Sequence, residues 1–177
     1  MSAREEQRGK RAKGYWTPNA VLSVLLAAAV VCLLVVLTTH DGAVTVVQRA
    51  YAGVASGVLR LLGHDTAVLG NVVGSSRFGI AVVTACTGLF ATTLFLVAVL
   101  VFPASWGAKA LGGAIGIGGI AVVNVIRLVS LYFVGVHWPA VLDVVHQLVW
   151  QSLLIVFAIS LWLVWAGRIA GRRRAEG

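Results

Sequence analysis

Four stretches of this chain are almost free of polar residues, and each approaches the ~20 residues that cross a bilayer as a helix. Ala20 to Leu37 is nearly uninterrupted Val, Leu and Ala. A second run ends at Pro103, which cannot continue a helix. A third carries Gly112, Gly113, Gly116, Gly118 and Gly119 in its first half, and such small residues let helix backbones approach closely. The last runs from Leu148 to Ala166. The pattern predicts an all-α membrane protein, a polytopic bundle of about four transmembrane helices with spans near 20–38, 82–102, 111–135 and 148–166.

The connections differ in kind. Ala43 to Leu62 contains Gln48, Arg49 and Arg60, yet Val47, Tyr51, Val54, Val58 and Leu61 recur at helical spacing. An amphipathic helix lying in the interface fits this better than a span with Arg49 buried. Val72 to Phe78 reads as two short extended pieces around a turn, a small hairpin or loop outside the membrane. Ala104 to Lys109 is expected to be a short loop whose Trp106 and Lys109 anchor it at the interface. His137 to Gln147 forms the last connection.

Composition agrees. The 177 residues are 59% hydrophobic and 11% charged, with mean hydropathy +0.94. Soluble domains carry about 25% charged residues, so a water-facing globule is excluded. The net charge of +8 would suggest nucleic acid in a soluble protein. Its placement argues otherwise: Arg4, Arg8, Lys10, Arg11 and Lys13 precede the first apolar run, and Arg168, Arg172, Arg173 and Arg174 follow the last. Clusters that flank spans set orientation and touch anionic lipid. Two basic tails, 1–19 and 168–177, therefore bracket a single membrane-embedded domain over 20–167. Four spans put both tails and Lys109 on the cytoplasmic side of an inner (cytoplasmic) membrane. The first run exceeds a signal-peptide core and lacks an A-x-A-like site, which makes it an uncleaved anchor.

This topology gathers reactive residues. Cys86 falls at the outer end of the second span and His146 just before the last. Arg127 lies eighteen residues beyond Lys109, about 27 Å higher at 1.5 Å per residue. Three separate regions thus deliver Cys, Arg and His to one depth. A thiolate is a nucleophile whose pKa a nearby cation lowers. A histidine moves the proton during acyl transfer, and an arginine stabilises the developing oxyanion.

Each residue also has a plainer role open to it. A lone cysteine is often a small buried hydrophobe, and Cys32, mid-span with nothing polar near it, reads that way. Arg127 can snorkel to the interface, although a charge inside an apolar span is by default functional. Asn124, one turn earlier on the same face, can hold the guanidinium or simply bond a neighbouring helix. Asp143, three residues before His146, can orient its imidazole or be a solvated loop carboxylate. His40, His64 and His137 read as solvated, and Trp138, Trp150, Trp162 and Trp165 as belt or lipid-facing residues. Cys32 and Cys86 lie at different depths, so no bridge is expected, and without a CxxC no zinc site is indicated. No metal and no cofactor is expected.

Ala85-Cys86-Thr87-Gly88-Leu89, then Asn124-Val125-Ile126-Arg127, then His146 before a final hydrophobic helix, resembles the exosortase/archaeosortase family. That family's pattern is a Cys followed by Ser/Thr-Gly, an Asn-x-x-Arg in a later helix and a downstream His. The resemblance covers roughly Val72 to Leu161, and the short chain looks like a compact branch such as exosortase H. It implies a membrane-embedded cysteine protease/transpeptidase that cleaves C-terminal sorting signals of exported proteins. In that reading Cys86, Arg127 and His146 are catalytic, and Asn124, Thr87, Gly88 and Asp143 support them. Its substrates are membrane-anchored proteins with a hydrophobic C-terminal helix and a basic tail, and its acceptor is a lipid or glycan component. The site would face the extracytoplasmic side. The rival class is a non-enzymatic membrane subunit, a haem- or quinone-associated anchor or a small transporter component. Haem needs paired histidines in one pocket, and a transporter needs polar residues near the midplane.

Overall fold

The computed structural model describes residues 18–39, 41–76 and 78–175, with side chains given to Ile169. The N-terminal basic residues, His40, and the side chains of Arg172, Arg173 and Arg174 lie outside the described residues. The chain is predominantly helical. Helix α1 is Pro18–Thr39, α2 is Asp41–Leu61, α3 is Leu89–Val101, α4 is Trp106–His137 and α5 is Trp150–Ala175. Between α2 and α3 lie strands β1 (Ala67–Leu69), β2 (Val72–Gly74) and β3 (Gly79–Ala81), then a 3-10 turn at Thr84–Cys86.

Three helical stretches are long and apolar enough to cross a membrane: Asn19–Thr39, Trp106–His137 and Pro139–Ile169. The second expected span holds a shorter helix than expected. Instead of a helix over 82–102, α3 has 13 residues, about 20 Å, against a hydrocarbon core of about 30 Å. Its start is set by Gly88, which takes φ 68° at the N-cap, a conformation natural to glycine alone. Its end is set by Pro103, which holds Phe102 in an extended conformation.

Two apolar clusters organise the bundle. In one, Phe95 and Val99 of α3 meet Ile120 of α4 and Leu154, Trp165 and Ala166 of α5. The glycines of α4 let these helices close. A Cβ on Gly116 would stand 2.0 Å from the Phe95 ring, and one on Gly112 would stand 2.6 Å from the Trp165 indole. Gly118 has open space, so close packing does not explain it. Gly116→Ala is expected to destabilise the fold by about 1–3 kcal/mol through overpacking. Thermal unfolding in detergent checks this, and Phe95→Leu in the same chain should recover most of the loss.

Lys109 is a correction. It is 8% exposed inside α4 rather than in a loop at the interface. Its Nζ donates to Ser23 Oγ of α1 at 2.6 Å and to the Leu100 carbonyl at 2.6 Å, and it sits 4.9 Å from the Trp106 ring centre. The last turn of α3 leaves carbonyls without helical partners, and the ammonium takes one of them.

The other cluster joins Ala52, Ala55 and Leu59 of α2, Val73, Val82 and Cys86, and Leu128 and Tyr132 of α4. Helix α2 is amphipathic as expected, and a second side of it packs against the protein. Its small residues Ala52, Ala55 and Ser56 allow close approach to the sheet and α4, while Val54 and Leu61 are exposed. The expected hairpin is there, extended by one strand into an antiparallel meander of order β1-β2-β3. Bonds from Ser56 to Thr66 (2.9 Å) and from Arg60 Nε to the Thr66 carbonyl (2.7 Å) tie α2 to its edge.

Candidate active site

Cys86 ends a 3-10 turn that the local sequence builds itself. The Cys86 amide donates to the Val83 carbonyl, and the Thr87 hydroxyl donates to the Thr84 carbonyl at 2.6 Å. Gly88 then starts α3, so the thiol stands beside a helix N-terminus. Among the described residues no backbone acceptor is found for the amides of Gly88, Phe90 and Ala91. Their N–H groups carry the positive end of the helix dipole, which favours a thiolate or a developing oxyanion nearby. Thr87 and Gly88 therefore act on the turn's shape.

His146 reaches Cys86 from the far side. Its Nε2 lies 3.0 Å from Sγ, so the thiol can donate to a neutral imidazole or the imidazolium to a thiolate. The histidine lies within a π-helical segment, Val145–Val149. One wide turn of this kind shifts the register of a helix locally and is common at functional sites.

Arg127 fastens the two halves. It is 1% exposed, and it donates from one terminal nitrogen to the Ala85 carbonyl and from the other to the His146 carbonyl, both at 3.4 Å. Its Nε–H is buried without a partner. Asn124 is fully buried one turn earlier, and its amide donates to the Cys86 carbonyl. Burial pushes the Cys86 thiol up from its ordinary range; the Arg127 charge and the Val83 hydrogen bond pull against that.

The structure thus brings together Cys86, Arg127, His146, Asn124, Thr87 and Gly88. Asp143 is exposed and makes no hydrogen bond to His146 among the described residues, yet its carboxylate is near enough for its charge to act on the imidazole. Of the two roles open to it, its exposure fits a solvated carboxylate. His64 packs edge-on against Tyr132 and Phe133, and His137 bonds the Phe133 carbonyl of its own helix. Cys32 is exposed on α1. Among the described residues no three His, Cys, Asp or Glu side chains converge as metal ligands.

Sequence reasoning missed the cavity beside the turn. It has a volume of about 440 Å³ and lies between α3 and α5. Thr84, Arg127 and Gln151 are its polar lining, and the rest, Phe90, Phe95 and Trp162 among them, is mostly apolar. Gln151, a lone amide near the start of an apolar helix, was the signal available in the sequence. No protein-family model matches the chain, and no curated protein or solved structure matches it either.

Proposed function

We propose that this protein is a membrane-embedded cysteine peptidase/transpeptidase of the exosortase/archaeosortase type. The observation that carries the reading is the 3.0 Å contact between Cys86 Sγ and His146 Nε2, with Arg127 bonded to the backbone on both sides of it. His146 takes the thiol proton as Cys86 attacks the carbonyl of a peptide bond. Arg127 and the α3 amides stabilise the tetrahedral oxyanion. The bond to the leaving amine breaks, the amine takes the proton back from His146, and a thioester remains on Cys86. An amine, hydroxyl or water then attacks the thioester and the thiol is released.

The apolar cavity beside the Cys86 turn supports a substrate whose scissile bond lies next to a hydrophobic segment. The protein sits in an inner (cytoplasmic) membrane with both termini cytoplasmic and the site on the outer side. Its substrates are exported proteins with a C-terminal hydrophobic helix and a basic tail, and its acceptor is a lipid or glycan.

Co-expression with such tailed proteins tests this. The expected product is a covalent adduct between enzyme and substrate that neutral hydroxylamine releases and that maps to Cys86. Tails cleaved without any thiol-linked intermediate would overturn the mechanism.

A further inference from the structure

The outer edge of β3 is the part of the fold that has chemistry to offer and no partner. Strand β3 pairs with β2 in the register Val72↔Ala81, Val73↔Ile80 and Gly74↔Gly79. The Ser75 amide donates to the Phe78 carbonyl, and the Val82 amide to the Asn71 carbonyl. In an antiparallel ladder the hydrogen-bonded pairs alternate. Phe78, Ile80 and Val82 therefore turn their main-chain groups towards β2, and Gly79 and Ala81 turn theirs away. Both Gly79 and Ala81 are exposed. Their outward N–H and C=O groups have no protein partner among the described residues.

Position gives this edge its meaning. From Ala81 the chain passes through Val82 and Val83 directly into the Thr84–Cys86 turn. The opposite edge, β1, leads back to α2 and away from the thiol. Donors and acceptors alternating at two-residue spacing are matched by another extended backbone and by little else. Exposed edges of this kind are normally blunted by charge, proline or a covering element, and β3 carries Gly-Ile-Ala.

We propose that β3 is the substrate-docking strand: the extended polypeptide adjoining the scissile bond pairs with the Gly79–Ala81 edge as a fourth strand and is led to Cys86. This rests on the acyl-transfer reading above and adds how the substrate is held. Main-chain pairing supplies register and affinity independent of side chains, while sequence preference is left to residues flanking the turn.

The full chain in nanodiscs is treated with a library of tetrapeptide vinyl sulfones, and modification of Cys86 is followed by intact mass. The fastest peptide is then remade with an N-methyl group at each position in turn. Each main-chain bond lost should slow labelling about tenfold, at alternate positions only. In the protein, Ala81→Pro removes one outward N–H without touching the ladder to β2. It should slow the peptide about tenfold and leave labelling by iodoacetamide within about twofold. An even or absent N-methyl effect would overturn the docking strand. So would peptides reacting no faster than a simple alkyl vinyl sulfone, or an unchanged peptide rate in Ala81→Pro. The N-methyl series does not depend on how the variant folds. A two-residue pattern without any hydroxylamine-labile adduct would sink the acyl-transfer reading and leave the docking strand standing.

Discussion

Cys86→Ala is expected to lose tail processing by at least about 10³-fold and to form no hydroxylamine-labile adduct. The size follows from the mechanism, because no other described side chain can take the place of the thiol. Cys32 is the one other sulfhydryl, and it lies exposed on α1, so Cys32→Ala should leave the rate unchanged. His146→Gln should cost about 10²–10⁴-fold, since both proton transfers then fall to water. The two losses will not add. Once the nucleophile is gone its base has nothing to activate, so the double variant should match Cys86→Ala. Cys86→Ala is nearly neutral for packing in a small buried position, which keeps the test clear of unfolding. Full processing by the alanine variant would end the mechanism. Cleavage is read as the ratio of tailed to tail-free substrate.

Much of this arrangement could be read from the sequence, and the parts that could not share a cause. Helices α1, α4 and α5 were legible because long apolar runs permit little else in a membrane. Meeting of Cys86, Arg127 and His146 followed from counting residues along spans of known rise. The start of α3 was misplaced because Ile80 to Val83 is apolar and β-branched, and a short run of that kind fits strand and helix equally. Lys109 was misplaced because its partner, Ser23, is 86 residues away, and one serine in an apolar helix announces nothing. The protein-facing side of α2 was not legible because its residues are small. Ala52, Ala55 and Ser56 are buried for being small. Arg127's two acceptors are main-chain carbonyls, which leave no mark in a sequence. The π segment that places His146 is equally silent.

Arg127 offers the second large effect, because it carries two roles that different substitutions separate. As a charge, it favours the thiolate of Cys86 against the cost of burial. As a fork, it bonds the Ala85 and His146 carbonyls and so joins the Cys86 turn to the His146 segment. Arg127→Lys keeps the charge and loses the fork; Arg127→Gln loses the charge. Both should lower processing by about 10²–10³-fold, the usual loss when a donor to an oxyanion is removed. The pH dependence of Cys86 alkylation tells them apart. A guanidinium nearby lowers the thiol pKa, so its removal raises it, and the alkylation profile of Arg127→Gln should move to higher pH. Below the pKa each unit of that shift slows alkylation about tenfold at fixed pH. Arg127→Lys should keep a profile close to wild type and still process poorly, since lysine lacks the planar fork whose two terminal nitrogens reach the Ala85 and His146 carbonyls separately. An unshifted profile in Arg127→Gln would mean that the guanidinium serves the fold alone. A Lys variant with full activity would mean that charge suffices and that the fork to Ala85 and His146 is incidental.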